Sequence, residues 1–155
     1  MHKLKEAPGL DVGFLGINPK QKKANLYDGG VRPFSATLLP DVAKAIVGIL
    51  KNPEAYKNKR VRIHSMRLTQ KQLVEAHEKV TGSKYETTVI NTKDLEKIGN
   101  DKFAAGDHSG LVKLITRALW GEGFGSDFHG NLDNEKLGIT LLDEAGLEDL
   151  VKQYV

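Results

Sequence analysis

The sequence has 155 residues, the length of a single typical domain, and 23 Lys and Arg against 20 Asp and Glu give a formal net charge of +3. With 39% hydrophobic and 28% charged residues, it is neither collagen-like nor disordered. The absence of cysteine excludes disulfides, thiolate metal sites and cysteine nucleophiles. The sequence shows no secretory signal and no apolar stretch of membrane-span length, so we expect a cytoplasmic protein without membrane contact.

A sequence pI near 9.0 raises the question of nucleic-acid binding. The basic residues concentrate in two short runs, residues 19–23 and 57–62, and neither run contains an aromatic residue or resembles a recognition helix. Acidic residues are spread through the rest of the chain, so no single-sign field dominates. We therefore expect no nucleic-acid partner.

The first ten residues are weakly patterned, and we expect them to be a poorly ordered lead-in to a single domain over residues 11–155. Short extended segments follow, each bounded by glycine, proline or polar residues. They are predicted at residues 24–27 and 31–37, with a turn at Asp28-Gly29-Gly30, and residues 12–17 before them are a short apolar run punctuated by glycine.

The pattern next predicts a helix over residues 41–51, because Pro40 suits a first helical position and Asn52-Pro53 ends the periodicity. Its polar residues form one narrow stripe, which is typical of a helix covered on most of its circumference. Residues 60–66 alternate polar and apolar residues and predict a half-buried edge strand.

The second half of the chain predicts helices around one further strand. Thr69 and Gln72 form a capping box, and Gly82 suits the left-handed position that ends the same helix. Periodicity and turn residues predict a strand at residues 85–90, helices at 92–98 and 111–120, a glycine-rich loop at 121–130, and a C-terminal amphipathic helix with Leu147, Leu150, Val151 and Tyr154 on one face.

The order of elements predicts an α/β protein, yet no strand is a continuous Val/Ile/Leu run of the kind buried in the centre of a parallel sheet. The predicted helices would cover a sheet whose central strands are missing. We therefore expect an exposed apolar surface at Val42, Ile46 and Ile49, which can self-associate.

Candidate sites for chemistry are few. The glycine cluster at residues 121–125 follows a helix rather than a strand, which is wrong for a phosphate-binding turn. The histidines have no metal-ligand spacing, and the adjacent Asp107, His108 and Ser109 indicate a helix cap rather than a catalytic triad. His77 borders an apolar stripe and is interpreted as a boundary residue with satisfied hydrogen bonds.

Trp120 lies opposite the apolar face of its helix, which the sequence places at Leu111, Val112, Ile115, Ala118 and Leu119. Either Trp120 lines a ligand pocket or partner surface, or the helix ends earlier and the indole packs in the core. The pocket hypothesis gives four candidate substrate-contacting residues: Phe14, Phe34, Trp120 and Phe124.

Several segments, in this order and spacing, resemble the NmrA-like, isoflavone-reductase-like family of atypical short-chain dehydrogenases. They are Gly13-Phe14-Leu15-Gly16, residues 22–30, Pro33-Phe34-Ser35-Ala36-Thr37, the helix from Thr69-Gln70 to Thr81-Gly82, and residues 132–139.

The resemblance covers only the C-terminal half of such proteins, whose first half carries the Rossmann glycine-rich NADPH fingerprint and the proposed catalytic lysine. It therefore implies a C-terminal, substrate-side lobe of a Rossmann protein, missing its central parallel strands. No catalytic, cofactor-binding or metal-binding residue is transferred to this chain. We expect the substrate-binding portion of an NADPH-dependent reductase-like protein, inactive and without NADPH when alone, with a small-molecule substrate for which an aromatic compound is one candidate. The alternatives are a non-catalytic regulatory or binding module and, on pI alone, a nucleic-acid binder.

Overall fold

The computed structural model describes residues 7, 10, 14–130 and 132–155, which form the mixed α/β fold that the sequence predicts. Most of the predicted lead-in, and Gly13 of the resemblance, lie outside the described residues. The strands are β1 (Ile17–Asn18), β2 (Lys23–Tyr27), β3 (Pro33–Ala36), β4 (Met66–Thr69) and β5 (Glu86–Ile90). The helices are α1 (Leu39–Lys51), α2 (Pro53–Tyr56), α3 (Gln70–Thr81), α4 (Thr92–Ala104), α5 (Gly110–Trp120) and α6 (Glu144–Val151), with short 3-10 helices at Asp28–Gly30 and Glu135–Leu137.

The strands form two small sheets. In the first, β2 lies between β1 and β5, antiparallel to β1 and parallel to β5, with Leu26 opposite Val89. The second pairs β3 antiparallel to β4, with Phe34 opposite Leu68. Parallel strands require a long connection, and the segment from β3 to α3 supplies it. In β2 only Ala24 and Leu26 are buried, so this middle strand is half-buried, in keeping with the absence of a continuous Val/Ile/Leu run from the sequence.

The main hydrophobic core lies between the two sheets, α3, α5 and α6, and it contains Leu26, Leu68, Leu73, Trp120 and Val151. A smaller cluster of Ala45, Leu137 and Ile139 packs under α1, with Ile49 half-buried against it.

Helix α1 has the predicted end at Lys51, and the expected exposed apolar surface is confirmed at Val42 and Ile46 but wrong at Ile49, which is half-buried against the smaller cluster. Only Ala45 is buried, whereas Val42 is 36%, Ile46 52% and Leu50 71% exposed. The apolar residues around this helix lie on a surface that the described residues do not cover.

The strand predicted at residues 60–66 is also wrong, because β4 begins only at Met66. At Arg62 and His64 the backbone bonds to loop groups, and only the Ser65 N–H, next to β4, reaches a neighbouring strand, at the Ala36 carbonyl of β3. The Asn134 side chain accepts from the His64 N–H and donates to the His64 carbonyl, and the Asp133 carboxylate accepts from the Arg62 N–H. The alternation of polar and apolar residues in this segment therefore comes from packing one side against a loop and not from pairing in a sheet.

Helix α3 has the predicted capping box between Thr69 and Gln72 and ends at Gly82 with φ of 63°. Helix α4 continues to Ala104, past the predicted end at Ile98. Gly99 is a packing residue in α4, since a Cβ there would lie 3.0 Å from the carbonyl oxygen of Gly110 at the start of α5. Two glycines thus allow α4 and α5 to approach closely.

Candidate apolar ligand cavity

A cavity of about 310 Å³ lies between the β3–β4 sheet and helices α3, α5 and α6. Its volume is at the lower end of the roughly 300–1,000 Å³ typical of small-molecule sites. The wall is almost entirely apolar, and the described chain places no charged side chain on it. The hydroxyl-bearing residues of the wall are Ser35, Thr37 and Ser65.

Trp120 forms part of this wall and is only 2% exposed. Its indole stacks on Tyr27, with ring centroids 5.9 Å apart, and meets the ring of Phe34 edge-on at 4.6 Å. The indole packs in the core as the second interpretation of Trp120 expects, but the earlier helix end that it assumed is wrong, because α5 continues to Trp120. The cavity adjoins this core, so the buried indole also contributes to the wall.

The apolar face that the sequence assigned to α5 is wrong. Leu111, Val112 and Ile115 are 50%, 57% and 40% exposed, whereas Trp120 on the opposite side is buried. The helix packs on α4 through Leu114, which contacts Gly99, and Trp120 packs in the main core. Hydrophobic periodicity therefore located the helix but not its buried side.

The four aromatic candidates do not share one site. Phe14, Phe34 and Trp120 line the cavity, with Phe14 51% exposed and Phe34 5% exposed. Phe124 lies outside it, in a smaller pocket of about 170 Å³ that also contacts Trp120. The Arg117 guanidinium lies over the Phe124 ring, 5.0 Å from its centroid, which is a cation–π geometry.

Gln70 supports the aromatic part of the wall and was missed by the sequence analysis. This first residue of α3 is fully buried. Its Oε1 accepts from the Tyr27 N–H at 2.9 Å, and its Nε2 donates to the carbonyls of Leu15 at 2.8 Å and Asn25 at 3.1 Å. A polar residue just after a capping residue gave no signal of this long-range role.

Beside the cavity, the half-buried Ser35 is paired with the buried His64. The hydroxyl of Ser35 lies 2.9 Å from Nδ1 of His64 and accepts a hydrogen bond from the Phe128 N–H at 3.0 Å. Burial lowers the pKa of His64 below its ordinary value, with a smaller opposing effect from the charge of Asp127. The imidazole is therefore neutral at pH 7 and holds the Ser35 hydroxyl in place.

The carboxyl ends of β2 and β5 are where a phosphate would bind in a nucleotide-binding α/β sheet. Here the N-terminus of α4 is already occupied by Asp28, whose carboxylate accepts from the Thr92 N–H at 2.8 Å and from the Thr92 hydroxyl at 2.6 Å. Burial alone would raise the pKa of Asp28, but these hydrogen bonds and the charges of Arg32 and Arg117 lower it. A carboxylate at this point repels a phosphate.

The glycine-rich loop at residues 121–130 is held by side-chain contacts that do not form a phosphate cradle. Arg67 binds Asp127 through two hydrogen bonds of 2.9 Å, and these lower the pKa of the Asp127 carboxyl. The loop follows the C-terminus of α5, where carbonyls rather than N–H groups are free. The described residues therefore do not fit the pyrophosphate of a nicotinamide dinucleotide.

His77 is fully buried, so its interpretation as a satisfied boundary residue is wrong. Its Nδ1 lies 3.5 Å from the Tyr85 hydroxyl, and its Nε2 has no hydrogen-bond partner among the described residues. Burial lowers the pKa of His77 to about 4.

The described part of the chain contains no group of three or more His, Asp or Glu side chains able to hold a metal ion. None of its helices combines the length and the apolarity needed to cross a bilayer.

Comparison with known proteins places this geometry in context. Residues 18–117 match the NmrA-like family. Oxidoreductase poxI of Penicillium oxalicum is 29% identical over 109 residues, covering 70% of this chain and 35% of that protein. Oxidoreductase aprR of Aspergillus flavus is 25% identical over 124 residues, covering 78% of this chain and 42% of that protein. The chain thus spans less than half the length of these relatives, and no solved structure matches it significantly.

Proposed function

Because the chain belongs to the NmrA-like family, we propose that it supplies the substrate-binding part of an NAD(P)H-dependent, isoflavone-reductase-like oxidoreductase. In this proposal the chain is the C-terminal, substrate-side lobe of a cytoplasmic Rossmann protein. The observation that carries the proposal is the apolar cavity, and the names of the two fungal relatives support the reaction class.

The proposed substrate is a small, flat, apolar molecule, because aromatic and aliphatic side chains make up nearly the whole wall. Phe14, Phe34 and Trp120 are its proposed contacts. Phe124 is left out of this set, because it lies outside the cavity against Arg117.

The nicotinamide dinucleotide is proposed not to bind to this chain alone. Asp28 occupies the helix N-terminus beside the parallel strands, and the glycine cluster follows a helix C-terminus. Both features oppose phosphate binding, so hydride transfer is proposed to need residues other than those described.

A non-catalytic ligand-binding module is the second candidate. It is favoured by the described cavity wall, which has no charged side chain to act as a general acid or base. Both candidate functions require ligand binding. Only the reductase proposal also requires that the complete reductase oxidises NADPH as it reduces the ligand.

Ligand binding is tested with a panel of planar phenolic compounds, using the fluorescence of Trp120, which is the only tryptophan. We expect saturable quenching in the wild-type chain and weaker binding in Phe14→Ala. Phe103→Ala is the matched control, since Phe103 is 50% exposed against 51% for Phe14 and does not line the cavity. No saturable quenching by any compound, or equal effects of the two variants, would contradict the proposed site.

A further inference from the structure

The volume of the cavity limits the size of the ligand that it can enclose. An engineered protein cavity of about 150 Å³ holds benzene, which corresponds to roughly 25 Å³ for each carbon atom. At that density, the cavity of about 310 Å³ holds roughly twelve non-hydrogen atoms. It therefore has room for two fused rings, or for one ring with short substituents, and not for three rings.

The exposure of the wall residues shows where the cavity opens. Leu68, Leu73 and Leu150 are buried, so they form its floor. Phe14 and Leu39 also line the cavity but are 51% and 46% exposed, so they form its mouth. A ligand that enters between Phe14 and Leu39 meets aliphatic side chains at its inner end.

The hydroxyl groups of the wall do not offer a free donor to a ligand oxygen. The Ser65 hydroxyl donates to the Asp41 carboxylate, and the Thr37 hydroxyl donates to the Ile63 carbonyl at 3.2 Å. The Ser35 hydroxyl is held by the two contacts described above.

The indole nitrogen of Trp120 does not supply a donor either. It has no hydrogen-bond partner among the described residues, but it is itself buried, so a ligand atom does not reach it. A carbonyl deep in the cavity would thus lose its hydrogen bonds to water without gaining one from the described side chains. A loss of this kind weakens binding by about fivefold or more.

We propose that the cavity binds the hydrocarbon end of its ligand, up to two fused rings, and leaves the oxygen-bearing end of the ligand at the mouth. The ligand class is a molecule with one flat apolar end and one polar end, such as an aryl ketone, whose carbonyl lies beside Phe14 and Leu39. This inference rests on the proposed function, because it assumes that the cavity binds a ligand.

The size limit is tested by titration calorimetry of the full chain with acetophenone, 2-acetylnaphthalene and 2-acetylphenanthrene, which carry one, two and three rings on the same ketone. We expect 2-acetylnaphthalene to bind about tenfold or more tightly than acetophenone, because it buries more apolar surface. We expect 2-acetylphenanthrene to bind no more tightly than 2-acetylnaphthalene, because its third ring does not fit.

The orientation of the ligand is tested with 1,4-diacetylbenzene and 4-isopropenylacetophenone, which have the same shape and differ in one C=O against one C=CH₂ group. The first compound has a carbonyl at both ends and must bury one of them. We expect it to bind about fivefold or more weakly than the second, which can bury its hydrocarbon end.

A variant that partly fills the cavity tests whether these ligands occupy it. Ala36 lines the cavity, and Ala36→Leu adds three carbon atoms, which take up roughly a quarter of the volume. We expect Ala36→Leu to weaken 2-acetylnaphthalene binding about tenfold or more and acetophenone binding less than about threefold. Ala43→Leu is the matched control, since Ala43 is exposed on α1 and does not line the cavity. The two ligand comparisons in the wild-type chain remain decisive if Ala36→Leu does not fold.

The outcomes separate this inference from the proposed function. If the ketones bind but the three-ring compound binds most tightly, or if the two benzene derivatives bind equally, the inference is overturned while the cavity stands as a ligand site. If Ala36→Leu folds and affects both ketones no more than Ala43→Leu does, the ligands bind elsewhere and the inference is overturned. If none of the compounds binds, the proposed function fails and the inference fails with it.

Discussion

The side-chain amide of Gln70 accepts a hydrogen bond from the backbone N–H of Tyr27, and Tyr27 in turn stacks on Trp120. A residue at the start of α3 therefore fixes the end of β2 and, through it, one aromatic side of the cavity. The same amide donates to the carbonyls of Leu15 and Asn25, so three backbone groups depend on one buried side chain.

Replacement of Gln70 by Met, which has a similar size, is expected to lower the free energy of unfolding by roughly 2–4 kcal/mol, because the buried backbone groups lose their partners. Urea unfolding measures this change, and near-UV circular dichroism reports the Trp120 surroundings. Gln153→Met is the control, since Gln153 is exposed and is expected to be neutral. Equal unfolding midpoints for the two variants would show that the Gln70 network does not stabilise the fold.

Gly16 and Gly29 form a matched pair for testing the close approach at the start of β1. Both have positive φ, 83° and 80°. A Cβ at Gly16 would lie 2.5 Å from the Asn25 carbonyl and 2.8 Å from Gln70 Nε2, whereas Gly29 has open space.

We expect Gly29→Ala to cost about 1–2 kcal/mol of unfolding free energy, the price of a left-handed residue. Gly16→Ala is expected to cost at least about twice as much, because the carbonyl and the Gln70 amide must also move. Thermal unfolding of both variants provides the comparison, and similar melting temperatures would mean that the backbone at Gly16 relaxes freely.

The sequence predicted the helices well where local signals act alone. The capping box at Thr69 and Gln72 and the left-handed Gly82 are interactions between near neighbours, so their residues suffice to identify α3. The strand prediction for the segment before β4 was wrong, because an alternating sequence indicates only that one side of a segment is buried. It does not indicate what covers that side, which here is the loop at Asp133 and Asn134.

The site was less predictable, for physical reasons. The sequence singled out Phe14, Phe34, Trp120 and Phe124, and the first three of these line one cavity. The buried side of α5 depends on which elements cover it, and an amphipathic pattern cannot supply that information when the apolar face is the exposed one. The roles of Gln70 and Ser35 depend on contacts across the fold that have no local pattern.

The buried His77 predicts a pH-dependent stability. Its pKa is about 4 in the folded chain against 6.5 for an unperturbed histidine, so between these values the unfolded state binds more protons. The contribution of His77 to the free energy of unfolding is therefore fully present above pH 6.5. It is lost as the pH decreases towards 4, by up to about 3 kcal/mol.

We expect the unfolding free energy of the wild-type chain to decrease between pH 6.5 and 4.5, and this slope to be largely lost in His77→Leu. Urea unfolding across this range is the measurement, with His108→Gln as a control at an exposed histidine. If the pH dependence of the unfolding free energy is unchanged in His77→Leu, a group other than His77 takes up the proton on unfolding.

The exposed face of α1 predicts self-association. Val42, Ile46 and Leu50 follow one another at helical spacing and are all exposed, whereas Ile49 packs on the smaller cluster. Ile46→Lys is expected to reduce dye binding and oligomer formation, measured by light scattering after gel filtration, without lowering the melting temperature. Ile49→Lys is expected to lower the melting temperature instead. If Ile46→Lys leaves dye binding unchanged, this face of α1 is not the surface that causes self-association.

The last prediction concerns the dinucleotide. Pyrophosphate binding needs a glycine turn that brings backbone N–H groups of a helix N-terminus to the phosphates. In the described chain, the α4 N-terminus carries the Asp28 carboxylate, and residues 121–125 follow the C-terminus of α5. Titration calorimetry of the full chain with NADPH is therefore expected to show no saturable heat at physiological salt.

The informative variants are Asp28→Asn and the double change Gly123→Ala and Gly125→Ala. The first removes the charge from the α4 N-terminus, and a weak gain of phosphate affinity in it would identify Asp28 as the group that excludes the anion. The second leaves packing intact, because a Cβ at either glycine meets open space, although φ of 84° at Gly123 adds backbone strain. Low-micromolar binding of NADPH by the wild-type chain, abolished by the double change, would overturn both the assignment of this loop and the proposal that the chain alone does not hold the cofactor.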